Sequence, residues 1–329
     1  MRYLSLVFIF LLFLQAEEEY QLGKGIQVGS LPFYVGGYFS LDYKHTDDID
    51  RYRVDDVAII GYGNYEKFSY MAEFEFKELY VKTEQNGLKT STNNNNLYTE
   101  RLYLDYNFNE NYMFRVGKYN SPIGFWNLLP VNVLRETTSN PMSVNILFPK
   151  FTTGLNSSYI SYGEGELKVD VMLQHNNDID FEYNNYKINE HYGFGVSYEK
   201  NDYAVKLNGG YFHNLDKNAV EDNLYYLLLS ARYESSKYQI LSEIGSQKSK
   251  SRYTTEYAGY IQGLYRFSQQ HIGVIRVESY DDNVKAIDDD MLIIGYTYRP
   301  LYPIAIKSEY QFHSQSDQNQ FLFSFSVLF

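Results

Sequence analysis

Hydrophobic and polar residues alternate along most of the chain from residue 33 onward. A period of two predicts β-strands with one apolar face and one solvated face. The pattern is clearest at the end of the chain, where one apolar face is formed by Phe321, Phe323, Phe325, Val327 and Phe329.

Sixteen segments of this kind can be counted, most of them about 10–12 residues long, which suits a tilted strand across a membrane. They lie near residues 33–43, 51–62, 65–79, 97–108, 111–118, 152–162, 166–175, 190–199, 203–213, 223–233, 237–246, 253–267, 271–280, 290–299, 303–313 and 319–329. Short turns and long polar loops alternate between them, as in outer-membrane barrels. The sequence therefore predicts an all-β fold, a 16-stranded antiparallel transmembrane β-barrel. A misassigned hairpin would make the count fourteen or eighteen.

Aromatic residues strengthen this prediction, because the chain has 36 Tyr and 22 Phe and they cluster beside the short turns. Tyr198 with Tyr203, and Tyr233 with Tyr238, are examples. Amphipathic rings at one end of the strands are typical of a lipid headgroup interface. A soluble β-sandwich is the alternative, but it has no reason to place aromatics at one end only.

Composition excludes several classes of protein. The chain has no cysteine, so disulfides and Cys-ligated metals are ruled out. Its net charge of −12, with no basic block, argues against nucleic-acid binding. No phosphate loop, zinc-protease motif or serine-nucleophile motif is present, and no two of the six His have metal-ligand spacing. We therefore expect no enzymatic activity, no cofactor and no metal site.

The first residues predict an export signal. Met1-Arg2 is followed by a short apolar run and then by Ala16, with acidic residues directly after it. This pattern indicates a cleaved signal peptide over residues 1–16 and a barrel over residues 17–329. An uncleaved anchor is the alternative, although the run is shorter than the roughly 20 residues of a spanning helix.

The third long connection, residues 119–151, is unlike the others because it is long and apolar. Such a loop should be buried, and the lumen of a sixteen-stranded barrel is wide enough to hold it. We expect it to fold into the lumen and narrow the pore, with Trp126 in the constriction and Arg135 and Glu136 as its central charged pair. The alternative is a loop that covers the barrel mouth or latches onto a neighbouring subunit.

Two stretches on either side of the second short turn carry a family resemblance. Residues 100–108 (ERLYLDYNF) and 114–126 (FRVGKYNSPIGFW) resemble the phosphate-selective porin O/P family, in which Arg-x-Gly-Lys leads through Pro-x-Gly into the third loop. The resemblance is specific over about residues 98–127. It implies a passive channel, a homotrimer, and a third loop placed in the pore.

The end of the chain also resembles a known signal. Alternate apolar residues closing on a terminal phenylalanine, here Phe325, Val327 and Phe329, are similar to the sequence read by the barrel-assembly machinery. Physically, this row must face lipid while the last strand pairs with the first. The expected partners are thus outer-membrane lipid and lipopolysaccharide, the assembly machinery, and small hydrophilic solutes.

Charges on the predicted inward faces are nearly balanced, with thirteen basic and twelve acidic candidates. Pairs such as Arg276/Glu278 and Lys307/Glu309 are interpreted as paired lumen charges. The candidates expected to line the pore constriction and the rest of the lumen, besides those of the third loop, are Arg51, Arg53, Lys67, Glu73, Glu75, Arg101, Asp105 and Arg115. Basic residues of the wall would then oppose Glu136 of the loop and create a transverse field.

These observations predict passive diffusion of small hydrophilic solutes and ions through a water-filled pore. No arginine ladder is present, which weighs against selectivity for phosphate. Two alternatives remain open: a specific channel for phosphate or another small anion, and a plugged barrel with a structural or adhesive role.

Overall fold

A single closed sheet of sixteen long strands dominates the computed structural model, which describes residues 20–216, 221–284, 287–314 and 318–329. The expected signal peptide, residues 1–16, lies outside the described residues. In chain order, the barrel strands β1 to β16 are Phe33–His45, Ile49–Tyr65, Phe68–Phe76, Tyr98–Asn107, Tyr112–Asn120, Phe151–Tyr162, Glu166–His175, Ile188–Lys200, Tyr203–Asn214, Asn223–Glu234, Tyr238–Lys248, Tyr253–Arg266, His271–Asp282, Ile287–Tyr298, Ile304–His313 and Gln320–Leu328. The predicted barrel and its strand count are confirmed.

The barrel closes between β16 and β1, which pair antiparallel. Phe325 lies opposite Leu41 and Val327 lies opposite Phe39. Beyond the strand, Phe329 and Gly37 exchange two backbone hydrogen bonds, each 2.7 Å long. Closure leaves no sheet edge in the lipid, where unpaired backbone groups are costly.

The second long loop contains a β-hairpin that the sequence analysis did not predict. Strands Tyr80–Gln85 and Leu88–Asn93 pair with each other, and the first also pairs with Ile49–Val54 of β2. Asn86 and Gly87 between them have φ of 51° and 80°. Asn-Gly with both φ positive is the favoured two-residue hairpin turn. A two-residue strand, Ile26–Gln27, likewise pairs with the start of β1.

Aromatic side chains form belts at both ends of the outer surface. At the short-turn end, Tyr203 and Tyr233 stand with ring centroids 4.9 Å apart, and Tyr238 and Tyr265 stand 5.2 Å apart. At the long-loop end, Tyr43 packs 4.9 Å from Tyr52. Two belts that flank an apolar band are what a membrane-spanning barrel requires. The sequence analysis recognised only the short-turn belt.

The third loop, residues 121–150, folds into the lumen as predicted. It contains two 3₁₀ turns, Trp126–Leu128 and Asn132–Leu134, and one short helix, α1, Met142–Ile146. Its apolar residues form two clusters with inward-facing wall residues, one on β7–β14 and one on β1, β2 and β15. The loop is therefore attached to both sides of the lumen. None of the helices in the described ranges is long and apolar enough to cross a membrane.

Candidate pore constriction

Three wall glutamates hold the backbone of the third loop from one direction. Glu243 of β11, Glu278 of β13 and Glu309 of β15 are almost fully buried and point into the lumen. Their carboxylates accept loop amide hydrogens from Phe125 (2.5 Å) and Trp126 (3.2 Å), from Met142, and from Thr138 (2.8 Å) and Ser139 (3.2 Å), respectively. Each carboxylate satisfies amides that a loop without regular structure would leave unpaired.

Basic wall residues hold the loop carbonyl groups. The donors and their acceptors are Lys206 to Gly124 (3.1 Å), Lys307 to Asn132 (2.8 Å), Arg299 to Val133 (2.7 Å) and to Arg135 (3.1 Å), and Arg276 to Ser139 (3.3 Å). Arg276 also lies 3.3 Å from Glu278. The mixed charge rows that the sequence showed thus fasten the loop, in addition to any role as paired lumen charges.

An open cavity of about 300 Å³ remains between the loop and the wall formed by β1–β4. Its wall side is acidic, with Asp56, Glu75 and Glu100. The hydroxyl oxygens of Tyr38 and Tyr183 each lie within hydrogen-bond distance of both Oε2 atoms, those of Glu75 and Glu100 (2.9 and 2.8 Å for Tyr38, 2.5 and 3.1 Å for Tyr183), and each can donate its one hydrogen to either carboxyl group. The two tyrosines thereby hold two carboxyl groups close together at the cavity surface.

The loop side of this cavity is basic. Arg135 donates to the carbonyl of Leu129 (2.6 Å), to that of Pro130 and to Asn140 Oδ1 (2.6 Å). Lys150 donates to Asn145 Oδ1 (2.7 Å). Within the described part of the chain, no ion pair within 4.0 Å joins either base to the wall carboxylates. The cavity therefore has a mainly acidic wall side and a basic loop side, whereas we expected basic wall residues to oppose an acidic residue of the loop.

The surroundings of Lys150 lower the pKa of its ammonium group. Burial, together with the nearby positive charges of Arg135 and Lys77, lowers the pKa of Lys150 to about 7, while Glu100 acts in the opposite direction. Lys150 lies in the loop, one residue before β6 begins.

Several expected constriction residues are instead paired within the wall. Arg101 pairs with Glu73, and Arg115 holds both oxygens of Asp105 at 2.6 and 2.8 Å. Arg51 lies 2.8 Å from Glu78, above the cavity. These charges are compensated locally, so they contribute little to a field across the pore.

Of the wall arginines, Arg53 does line the cavity, although it is bound to Asp42 (3.1 Å) and Asp55 (3.2 Å). Glu75 lines it as well.

The remaining expected residues, Trp126, Glu136 and Lys67, lie in three different places. Trp126 lines the cavity, and its Nε1 donates to Asn140 Oδ1 at 3.1 Å. Glu136 does not face the wall arginines expected to oppose it, because it pairs with Arg299 at 3.1 Å. Lys67 lies in the turn between β2 and β3, where it donates to the Phe108 carbonyl (3.1 Å), and so stands at the short-turn rim and not in the constriction.

The sequence analysis missed Asp56 and Glu100 because each lies in a β-bulge. Tyr38 faces Ala58 while Ser40 faces Asp55, which leaves one extra residue in β2 near Asp56. The pairing of β3 with β4 likewise skips Glu100. A bulge shifts the alternation by one residue, so two neighbouring residues can both face the lumen. The adjacent charges Asp55-Asp56 and Glu100-Arg101 were the available signal, because neither member can face lipid.

Tyr183 was missed for another reason: it belongs to the fourth long loop, residues 176–187. β4 and β5 pair only as far as Leu102 and Lys118, and this loop fills the slot above them. Asp180 accepts from the Thr99 amide (2.8 Å), and its carbonyl accepts from Lys118 (2.6 Å). The loop thus completes the wall and carries Tyr183 into the cavity.

Comparison with solved structures finds the same fold in outer-membrane porins. OmpF of Salmonella typhi matches with a TM-score of 0.65, 10% identity, and coverage of 95% of this chain and 100% of that one. A loop-deletion mutant of OmpT from Vibrio cholerae matches with a TM-score of 0.64 and 14% identity, and the match covers 90% of this chain and 99% of that one. The anion-selective porin from Comamonas acidovorans matches with a TM-score of 0.58 and 10% identity, and the match covers 90% of this chain and 99% of that one. The fold is therefore that of an outer-membrane β-barrel of the porin type.

Comparison of sequences does not assign the chain to a family within this fold class. No protein-family model matches the chain, so membership of the O/P family is not confirmed. An uncharacterized protein of Aquifex aeolicus (strain VF5) is 27% identical over 157 residues, which cover 46% of this chain. The match spans about a third, 32%, of that relative's length.

Proposed function

We propose that the protein is an outer-membrane channel through which small hydrophilic solutes and ions diffuse passively. The observation that carries the proposal is the third loop, fastened across the lumen by wall charges and leaving a polar cavity beside it. Such a loop narrows a sixteen-stranded lumen without sealing the whole cross-section. Sieving then depends on solute size and charge and requires no chemical step.

Charge at the cavity does not favour the anion-specific alternative. The cavity is lined by five carboxylates and four basic side chains. The carboxylates are Asp42, Asp55, Asp56, Glu75 and Glu100, and the basic residues are Arg53, Lys77, Arg135 and Lys150. A pore built for phosphate needs a clear excess of positive charge along its path.

Swelling of proteoliposomes in uncharged sugars of increasing mass tests this function. We expect swelling with small sugars and a sharp decline as the sugars grow, because the fixed loop sets one size limit. A folded protein that admits none of the sugars would contradict the proposal and favour a plugged, structural or adhesive barrel.

We further propose the partners that the sequence implied: outer-membrane lipid and lipopolysaccharide around the two aromatic belts, and the barrel-assembly machinery acting on the last strand. The homotrimer rests on the family resemblance. Crosslinking of the protein in native membranes tests it, and a ladder that stops at the monomer would contradict it.

A further inference from the structure

The cavity beside the third loop has acidic groups on its wall side and basic groups on its loop side, with no ion pair within 4.0 Å between the two sets among the described residues. Glu75 and Glu100 approach from the wall, and Arg135 and Lys150 approach from the loop. Each carboxylate is held by tyrosine hydroxyls, and each base is held by neutral oxygens of the loop. The four groups are therefore held in position around the cavity.

We propose that this cavity is a binding subsite for small zwitterions of the α-amino-acid type. The ammonium group binds at Glu75 and Glu100, and the carboxylate binds at Arg135 and Lys150. This inference rests on the proposed function, because a solute reaches the cavity only through the pore.

The acidic side of the cavity has one carboxylate oxygen that lacks a hydrogen-bond donor. Glu75 is 1% exposed, and its Oε1 has no hydrogen-bond partner among the described residues. A buried acceptor without a partner is costly, whereas an ammonium group brings three N–H donors. The tyrosine hydroxyls contact only the Oε2 atoms, so the buried Oε1 atom of Glu75 is left without a donor.

The basic side has spare donors. A guanidinium has five N–H groups, and the bonds of Arg135 to Leu129, Pro130 and Asn140 use three of them. Lys150 uses one of its three on Asn145. The remaining N–H groups can form charge-assisted hydrogen bonds with a carboxylate.

Solutes with a single charge fit less well. A simple anion drawn to Arg135 must also lie near Glu75 and Glu100, and a simple cation drawn to those carboxylates must lie near Arg135 and Lys150. A zwitterion complements both sides at once. The cavity volume of about 300 Å³ lies at the lower end of small-molecule sites, which suits a solute of this size.

Alanine and lactamide provide a matched test, because they are isomers and only alanine is a zwitterion. We would record the ion current of the full-length mature channel in a planar bilayer while titrating each solute. We expect alanine to reduce the current saturably and lactamide to have little effect. Propionate and propylamine, which carry one charge each, should act more weakly than alanine.

Variants localise the effect. Glu75→Gln, Arg135→Gln and Lys150→Gln should each weaken the block by alanine at least about threefold, because each removes one charged partner of the solute and even an exposed ion pair contributes on this scale. Glu234→Gln is the matched control, because Glu234 pairs with Arg266 (3.0 Å) and does not line this cavity. Heat-modifiable migration on gels shows which variants fold. If one of the three variants fails to fold, the other two still test the subsite.

The outcomes separate the two proposals. Equal effects of alanine and lactamide on a conducting channel would overturn the zwitterion subsite and leave the channel function standing. Propionate that blocks as well as alanine would overturn it in favour of an anion site. Folded protein without any conductance would overturn the channel function, and the subsite with it.

Discussion

At the scale of single residues, some lumen charges hold the third loop, and others form the cavity that we propose binds a solute. Arg299 is a holding residue: it binds the carbonyl groups of Val133 and Arg135 and pairs with Glu136. Arg135 and Glu75 belong to the second group, because no ion pair within the described part of the chain neutralises them by contact. The neighbours Arg135 and Glu136 thus differ, because Glu136 is paired with Arg299 and Arg135 lines the cavity.

Arg299→Gln should loosen the third loop. Arg299 and Glu136 have side chains only 8% and 18% exposed, so removing one partner leaves a poorly solvated charge and costs about 3 kcal/mol. We expect noisier single-channel currents and a lower unfolding temperature. Arg266→Gln, which breaks a pair at the short-turn rim with Glu234, is the control. If the two variants behaved alike, the anchoring role of Arg299 would be wrong.

Ion selectivity should depend on pH near neutrality. With its pKa lowered to about 7, Lys150 is charged below that pH and neutral above it. Raising the pH from about 6 to about 8 should therefore remove positive charge from the cavity, where Arg135, Lys77 and Glu100 face it, and shift the reversal potential toward cations. The Lys150→Gln variant should lose this shift. A wild-type reversal potential that stayed constant across this range would contradict the assignment.

At the scale of elements, strands were predictable and their irregularities were not. A period of two identified all sixteen barrel strands because each has one face toward lipid and one toward the lumen. The bulges near Asp56 and Glu100 break that period, and the polar hairpin at residues 80–93 has no apolar face to reveal it. The acidic side of the cavity was missed for this reason.

The third loop was predicted as an element, but the residues that contact its charged side chains were not predicted. Its apolar composition was enough to place it in the lumen. The neighbours of each charged side chain depend on how the loop crosses the lumen, and sequence periodicity carries no information on this. Glu136 consequently meets Arg299, and Arg135 meets the cavity.

Deleting residues 125–147 should enlarge the single-channel conductance, because this segment fills much of the lumen. The barrel should still close, since β1 and β16 pair independently of the loop. Deleting residues 82–91 of the hairpin, which lie outside the cavity, is the control and should leave the conductance nearly unchanged. A conductance unaffected by removal of the loop would show that the loop is not the constriction.

The C-terminal residue should matter for barrel closure. Removing Phe329 eliminates its two hydrogen bonds with Gly37 and its ring contact with Phe39, whereas Phe329→Ala eliminates only the ring contact. We expect less folded barrel on heat-modifiable gels for the truncation than for the alanine variant. Phe267→Ala, in a turn at the same rim, is a control. Equal yields of all these proteins would contradict a role of Phe329 in closure.

At the scale of the whole molecule, the protein is a closed barrel whose wall charges fasten a loop inside the lumen. The fold follows from a simple pattern, since every strand must satisfy lipid outside and water inside, and all strands must pair. The selectivity that we propose depends on a few contacts around one cavity, which the pattern does not encode.

The channel function is tested by single-channel recording of the purified, folded protein in a planar bilayer, with the reversal potential measured across a KCl gradient. We expect stable open steps with weak ion selectivity, because acidic and basic residues line the cavity in nearly equal number. A folded protein that passes no current, or a channel with a strong anion preference, would contradict it.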